Sequence, residues 1–141
     1  MEYRTVTSED MENVGRQVAK KMKGGDVILL YGELGSGKST FTKGLVNELG
    51  VEDVVTSPTF TLMNVYDAKH PQIKKVVHCD TYRLRDKDDL EEVGITDYLY
   101  KPDTLCIIEW PDKVSHLLTG NSNIKISIEY IDSERRKIVM E

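Results

Sequence analysis

An α/β layered fold is predicted by three observations on the 141-residue sequence. Short apolar runs typical of buried strands recur along the chain, and segments of helical character lie between them. One strand leads into a glycine-rich loop that opens a helix. Two alternating segments near the end of the chain flank a polar turn, which indicates an antiparallel hairpin. Together they predict a three-layer sandwich around a central mixed, mostly parallel sheet that ends in this hairpin.

Each predicted element rests on its own pattern. The predicted helices, each followed by glycine, span 8–23, 40–49 and, as a short acidic segment, 86–93. The predicted strands are apolar or alternating runs at 26–31, around 59–66, and at 75–80, 104–109, 123–130 and 136–140. No repeat or linker divides these elements, so residues 1–141 are predicted to form one domain.

Charge and composition limit the classes of protein to consider. Nineteen basic residues stand against 24 acidic ones, and the net charge of −5 argues against a protein that mainly coats nucleic acid. The apolar runs are too short to cross a membrane, and the first residues lack the apolar segment of a signal peptide. Cys79 and Cys106 lie in apolar strand-like runs and are predicted to be buried free thiols. We therefore predict a cytoplasmic protein.

The glycine-rich loop at residues 32–39 reads Gly-Glu-Leu-Gly-Ser-Gly-Lys-Ser, the phosphate-binding P-loop pattern. Its glycines leave room for backbone N–H groups to surround phosphate oxygens. Lys38 supplies a cation to the phosphates, and the hydroxyl of Ser39 is suited to Mg²⁺. The helix that follows adds its N-terminal amides to the anion site. The pattern therefore predicts a P-loop NTPase-like fold that binds a nucleotide with Mg²⁺.

Two acidic residues follow apolar strands and are candidates to complete the phosphate site. Glu109 ends the run 105–108, and Asp80 ends the run 76–79. In P-loop enzymes an acid at such a strand end meets Mg²⁺, directly or through water. The competing interpretation for each is a solvated carboxylate. His78, which alternates with Asp80 on one strand face, is interpreted as a structural histidine or as an orienting donor.

Three further residues near these strands each have two interpretations. Arg83 and Arg85 follow the strand that ends at Asp80, and they either reach a phosphate or a partner, or stay solvated. Trp110 stands between Glu109 and a proline, where it either packs the rim of the site or shapes a contact surface.

Missing motifs narrow the class of nucleotide. The guanine-specific patterns Asp-x-x-Gly and Asn-Lys-x-Asp occur nowhere in the sequence, so ATP is the expected nucleotide. The chain after the P-loop helix is short for the acceptor site and lid of a small-molecule kinase. Such a kinase, with Asp80 as its base, and a nucleotide-dependent binding module remain alternatives to an ATPase.

Five spaced motifs resemble those of one family. They read Gly-Glu-Leu-Gly-Ser-Gly-Lys-Ser-Thr-Phe at 32–41, Thr-Ser-Pro-Thr-Phe-Thr-Leu at 56–62, His-Cys-Asp-Thr-Tyr-Arg-Leu at 78–84, Glu-Glu-Val-Gly-Ile at 91–95 and Ile-Ile-Glu-Trp-Pro at 107–111. In this order, and over nearly the whole chain, they are similar to the TsaE (YjeE-like) family of bacterial ATPases of tRNA threonylcarbamoyladenosine biosynthesis. The resemblance implies an ATPase that works with partner proteins to modify tRNAs that read ANN codons. A threonylcarbamoyl transferase complex is the implied partner, ATP turnover resets it, and tRNA is reached indirectly through that complex.

The resemblance also assigns site residues by position. Lys38, Asp80 and Glu109 are the expected catalytic residues, and Ser39 and Glu109 are the expected ligands of Mg²⁺. The nucleotide is expected to be held by Gly35, Ser36, Gly37, Lys38, Ser39, Thr40 and Arg135.

Some positions of this chain match the family's pattern and others depart from it. Arg135 matches a late arginine that the family often places near the adenine. Met11 stands where many members have threonine, so a side-chain hydrogen bond is not expected there, while Ser39 replaces the commoner threonine and keeps the hydroxyl. Residues 57–59 and Trp110 are expected on the nucleotide or partner side.

Overall fold

A single seven-stranded sheet forms the framework of the computed structural model, which describes residues 1–33, 35–53, 55, 62–81 and 94–141. The strands are β1 (Glu2–Thr5), β2 (Val27–Gly32), β3 (Met63–Asp67), β4 (Lys75–Asp80), β5 (Thr104–Glu109), β6 (Asn123–Tyr130) and β7 (Arg136–Met140). The α-helices in this part of the chain are α1 (Ser8–Ala19) and α2 (Lys38–Glu48), and the 3₁₀ helices are η1 (Ile95–Asp97) and η2 (Pro111–Leu117).

The strand order β1-β7-β6-β2-β5-β4-β3 places four parallel strands, β6 to β4, at the centre of the sheet. β1, β7 and β3 pair antiparallel at the two edges. The α/β class, the mixed sheet and the terminal hairpin of β6 and β7 are therefore confirmed. Parallel pairing is confined to the central strands, and the antiparallel pairings at the edges are as numerous. Because β2, β5 and β4 are parallel neighbours, their carboxyl ends lie side by side.

Apolar side chains cover both faces of the sheet. On one face, Ile28 and Ile107 pack in the same cluster as Phe41 of α2. On the other face, Val27 packs in a cluster that includes Val114 of η2. α1 and α2 thus form the outer layer on the first side, and η1 and η2 contribute to the layer on the second, as the predicted three-layer sandwich requires.

α1 and α2 approach each other closely because glycine stands at both contact points. A Cβ on Gly15 would lie 2.2 Å from the carbonyl oxygen of Phe41, and a Cβ on Gly44 would lie 2.0 Å from that of Glu12. Both distances are far below a non-bonded contact, so any side chain there would push the helices apart. This packing holds the beginning of α2, and the loop before it, against the N-terminal part of α1.

Several predicted boundaries differ from the observed ones. α1 ends at Ala19 rather than at residue 23, because the N–H groups of Lys21 and Met22 bond only three residues back and close the helix with a tighter turn. β1 was not predicted because this edge strand has only four residues, of which one is buried, and its order comes from pairing with β7. Of the predicted strand around 59–66, residues 59–61 lie outside the described residues, as does the predicted helix at 86–93.

The two cysteines are buried and free, as predicted. Burial raises the pKa of the Cys106 thiol to about 12 and that of the Cys79 thiol well above its ordinary value. Neither is therefore expected to act as a nucleophile near neutral pH.

Among the helices described, none combines the length and the apolar character needed to cross a bilayer.

Candidate nucleotide-binding site

The glycine-rich loop connects the carboxyl end of β2 to the first turn of α2. Gly35 and Gly37 have φ angles of 79° and 108°, a region that residues with a Cβ rarely adopt. Gly37 is the N-cap of α2 and offers no side-chain cap, so the first amides of the helix are left for another acceptor. The hydroxyl of Ser36 is buried and has no hydrogen-bond partner within the described residues. A bound anion would satisfy both the helix amides and this hydroxyl.

Lys38 begins α2 and places its ammonium group at the centre of the site. Its Nζ atom lies 2.5 Å from the carbonyl oxygen of Gly32 and 3.8 Å from Oε1 of Glu109. The same atom lies 4.2 Å from the centre of the Trp110 ring, in cation–π geometry. Burial lowers the pKa of Lys38, while the negative charges of Glu109 and Asp80 oppose that shift. The lysine is thus a partly desolvated cation held between two acids and the loop.

Asp80 and Glu109 end the neighbouring parallel strands β4 and β5 and are paired in register. Both residues are buried, with 9% and 4% of their surface exposed. The predicted acids therefore lie next to each other and close to Lys38, and neither is a solvated carboxylate. Two buried acids beside one lysine give the site an excess of negative charge, which a divalent cation would neutralise.

His78 lies on the same face of β4 as Asp80 and contacts Glu109. Its Nε2 atom lies 2.7 Å from Oε2 of Glu109, and both side chains are almost fully buried. An ionised carboxylate has no hydrogen to give, so the ring nitrogen is the donor. The Nδ1 atom of His78 has no partner in the parts of the chain that the structure describes.

Thr81 fixes the backbone at the end of β5. Its hydroxyl donates to the carbonyl oxygen of Glu109 at 2.9 Å and also to that of Trp110, and its N–H bonds the Glu109 oxygen as well. Trp110 has a φ of 58° and a ψ of 54°, the left-handed region that bulky residues avoid. A backbone outlier held by surrounding hydrogen bonds at a polar cleft is typical of functional sites. No residue pattern indicated this role of Thr81 in advance.

A cleft of about 340 Å³ opens on one side of the phosphate loop. It lies between the loop, the segment before α1 and the turn that joins β6 to β7, and its lining residues are Thr5, Val6, Thr7, Ser8, Met11, Gly35, Ser36, Gly37, Thr40, Ser133, Glu134 and Arg136. Met11 is buried and would touch a Cβ on Gly37 at 3.0 Å, so it forms an apolar wall beside the loop. The cleft is placed to hold the remainder of a nucleotide whose phosphates occupy the loop.

Arg136 lines this cleft, and the predicted residue Arg135 does not. The Nε atom of Arg135 lies 2.6 Å from Oδ2 of Asp132, within the turn. The guanidinium carbon of Arg136 lies 4.1 Å from the centre of the Tyr130 ring. The adenine role of Arg135 stays a prediction. Arg135 lies in the turn and Arg136 begins β7, so the two side chains point in different directions, and the sequence alone does not separate them.

A second cleft, of about 460 Å³, lies on the other side of the loop. Its lining residues are Tyr31, Gly32, Glu33, Trp110, Ser127, Ile128, Glu129 and Tyr130. Trp110 therefore contacts Lys38 and lines a partly aromatic cleft, and rim packing and a contact surface both stay open as interpretations.

The oxygen donors present fit Mg²⁺, which prefers one or two carboxylates together with phosphates and water. Ser39 is exposed in the first turn of α2, where its hydroxyl is accessible. Glu109 and Asp80 supply carboxylates at the ends of the adjacent strands. The structure brings Lys38, Asp80 and Glu109 together, while Arg83, Arg85 and residues 57–59 lie outside the described residues.

This arrangement of a parallel strand, a glycine-rich loop, a helix and adjacent acids defines the P-loop class of nucleotide-binding proteins. Comparison with known proteins narrows the class. The family model described as "Threonylcarbamoyl adenosine biosynthesis protein TsaE" matches residues 5–138. The chain belongs to the TsaE family.

Individual relatives agree with this assignment over most of their length. The Bacillus subtilis protein named tRNA threonylcarbamoyladenosine biosynthesis protein TsaE is 33% identical over 138 residues, which cover 98% of this chain and 83% of that protein. A protein of the same name from Treponema pallidum is 32% identical over 134 residues, with 95% of each chain covered. The crystal structure of Bacillus subtilis YdiB superimposes with a TM-score of 0.79 at 28% identity and covers 99% of this chain and 83% of that one.

Proposed function

We propose that this protein binds and hydrolyses ATP with Mg²⁺ and is required for threonylcarbamoyladenosine formation in tRNAs that read ANN codons. The observation that carries the proposal is the contact of Lys38, at the start of α2, with Glu109 at the end of a parallel strand. Its membership of the TsaE family supports the pathway, because relatives are named for threonylcarbamoyladenosine biosynthesis. The pathway and the geometry together favour an ATPase over a small-molecule kinase or a simple binding module.

The residues of the loop divide the work of binding. Backbone amides of residues 35–40 surround the phosphates, and the buried Ser36 hydroxyl gains the acceptor or donor partner that it lacks among the described residues. Lys38 moves from the Gly32 carbonyl to phosphate oxygens, where its charge offsets the negative charge of the phosphates. The cleft beside Met11 and Arg136 receives the nucleoside.

The acids divide the work of catalysis. Ser39 and Glu109 are the proposed ligands of Mg²⁺, which supplies positive charge to the phosphate oxygens during transfer. We assign the orientation of the attacking water to Asp80, and its register with Glu109 at the end of the neighbouring strand supports this assignment. The attacking water needs such an acceptor to be held in line with the bond that breaks.

A partner complex is the proposed source of full activity. In the described part of the chain the Lys38 ammonium group lies against Glu109, and on this proposal it is used to hold phosphate. P-loop enzymes that lack a second, transition-state cation lose about 10³–10⁵ in rate. We therefore propose slow hydrolysis by the protein alone and acceleration by the threonylcarbamoyl transferase complex, with tRNA reached through that complex.

The experiment is a measurement of ATP hydrolysis by the purified protein, with and without the partner complex. Phosphate should be released to solution slowly by the protein alone and faster with the complex. A Lys38→Ala variant should lose ATP affinity. Rapid hydrolysis without partners would contradict partner dependence, phosphate transfer to a metabolite would indicate a kinase, and normal ATP binding by Lys38→Ala would overturn the role of the loop.

A further inference from the structure

The buried contact between His78 and Glu109 is not explained by binding of phosphate or by core packing. His78 has 1% of its surface exposed, yet it is polar and carries one ring nitrogen, Nδ1, without a partner in the described residues. Burial of a polar atom without a hydrogen-bond partner carries an uncompensated desolvation cost. An apolar residue at this position of β4 would avoid that cost, so the contact made by the other nitrogen must compensate.

The sheet register brings the two side chains together from neighbouring strands. His78 is in register with Ile107, two residues before Glu109, and Asp80 is in register with Glu109. Residues two apart on a strand point to the same face, so His78, Asp80 and Glu109 all face the layer of α1 and α2. The His78 ring thus lies on the neighbouring strand, two positions before the strand end. It approaches the Glu109 carboxylate from within the sheet, on the side away from the phosphate loop.

The contact uses one oxygen of the Glu109 carboxylate and leaves the other for the site. Oε2 accepts from Nε2 of His78 at 2.7 Å, and Oε1 lies 3.8 Å from Nζ of Lys38. A carboxylate bonded at one oxygen cannot rotate freely about its terminal torsion. Its orientation is thereby fixed, with Oε1 toward the phosphate loop.

We propose that His78 is a positioning residue that holds the Glu109 carboxylate, through an Nε2–H hydrogen bond to Oε2, with Oε1 presented to Mg²⁺. The inference rests on the proposed function, in which Glu109 binds that ion. Groups that hydrogen-bond to metal-binding carboxylates fix the orientation of the ligand, and their loss costs about 10- to 100-fold in metal affinity or activity. If His78 only filled space on the sheet face, the effect of replacing it would depend on side-chain volume and not on the position of the ring N–H.

Two substitutions separate the donor from the volume of the side chain. His78→Gln places an amide N–H near the position of Nε2, whereas His78→Asn places it near Nδ1 and does not reach Oε2. His116→Gln, at an exposed position of η2, is the matched control. Binding of a non-hydrolysable ATP analogue is measured by calorimetry, first in EDTA and then across a Mg²⁺ titration.

The wild type, His78→Gln and the control should show the same Mg²⁺-dependent tightening, with all variants binding equally in EDTA. His78→Asn should need about 10- to 100-fold more Mg²⁺. Equal titrations for His78→Asn and wild type, or equal defects in His78→Asn and His78→Gln, would overturn the inference. Absence of any Mg²⁺ effect in the wild type would instead overturn the proposed metal role of Glu109, and this inference with it.

A second measurement uses the wild-type protein alone, so its result does not depend on whether the variants fold. Nitrogen-15 NMR of the histidine rings reports which ring nitrogen carries the hydrogen. His78 should show the Nε2–H form, because that hydrogen bonds Glu109. The Nδ1–H form with a bare Nε2 would overturn the inference.

Discussion

The Nζ atom of Lys38 lies 2.5 Å from the carbonyl oxygen of Gly32, so the lysine of the phosphate loop bonds the first glycine of the same loop. The ammonium group also lies 4.2 Å from the centre of the Trp110 ring. A phosphate oxygen carries negative charge, so it attracts the ammonium group more strongly than a neutral carbonyl oxygen or an aromatic ring does. Lys38 is therefore expected to leave both groups when a nucleotide binds.

Trp110 should report this exchange through its fluorescence. It is the one tryptophan in the sequence, so the emission has a single source. Withdrawal of the Lys38 ammonium changes the charge next to the indole, and the emission should change and saturate as ATP fills the site. Calorimetry on the same samples gives the occupancy. An unchanged emission at full occupancy would contradict the exchange.

Glu109→Gln should reduce Mg²⁺-dependent ATP hydrolysis by at least about 100-fold. Loss of a direct metal ligand is expected to lower activity at least as much as loss of a group that hydrogen-bonds to that ligand. Glutamine keeps the size of the side chain and an oxygen that accepts from His78, so the fold should be retained. Nucleotide binding in EDTA should be little changed. Asp80→Asn is the matched comparison, and a larger Mg²⁺ defect in that variant would exchange the roles of the two acids.

Arg136→Ala should weaken ATP binding by about 10-fold, the loss expected for one charged hydrogen bond. Arg136 lines the cleft beside the phosphate loop, whereas Arg135 is bonded to Asp132 within the turn. Arg135→Ala should therefore change affinity by no more than about twofold. The adenine role of Arg135 remains a prediction from resemblance, and calorimetry on the two variants decides between the neighbours. A stronger effect from Arg135→Ala than from Arg136→Ala would support the adenine role of Arg135.

Acid should destabilise the turn that precedes Arg136. Backbone N–H groups of Arg135 and Glu134, together with the Arg135 guanidinium, lower the pKa of Asp132 from 3.8 to about 2. The folded pKa is the lower one, so the unfolded chain binds more protons between these values. The stabilisation is present above pH 3.8 and is lost as pH falls toward about 2.

Asp132→Asn removes this titrating group and provides the test. From about pH 5 to about pH 2, the wild type should lose more stability than the variant, and the difference in free energy of unfolding should narrow with acid. Urea unfolding followed by circular dichroism at each pH measures it. Parallel pH profiles for the two proteins would show that the turn contacts of Asp132 contribute nothing in solution.

The features that could be predicted from the sequence are those that depend on a local residue pattern. β4 and β5 were predicted with their observed bounds, because apolar runs that end in an acid are recognisable without knowledge of their neighbours. The sheet class followed from the same runs, and the P-loop residues followed from a spacing that the chemistry of phosphate imposes. The Lys38, Asp80 and Glu109 group could be predicted because each member carries its own local signal.

The features that could not be predicted from the sequence depend on contacts between distant segments. Thr81 has an ordinary polar side chain, and its bonds to the Glu109 and Trp110 carbonyls exist only because β4 and β5 are adjacent. β1 gains its order from β7 at the other end of the chain. Whether Arg135 or Arg136 lines the cleft depends on the backbone geometry where the turn meets β7, which the amino-acid composition does not determine.

The threonylcarbamoyladenosine content of tRNA in cells that lack this protein is the decisive measurement for the role of ATP binding at this loop. Mass spectrometry of tRNA nucleosides should show loss of the modification on deletion, restoration by the wild type and no restoration by Lys38→Ala at equal protein level. Lys38 is the test residue because its ammonium group connects the loop to Glu109. Unchanged threonylcarbamoyladenosine on deletion, or full restoration by Lys38→Ala, would contradict the proposal that ATP binding at this loop supports the modification.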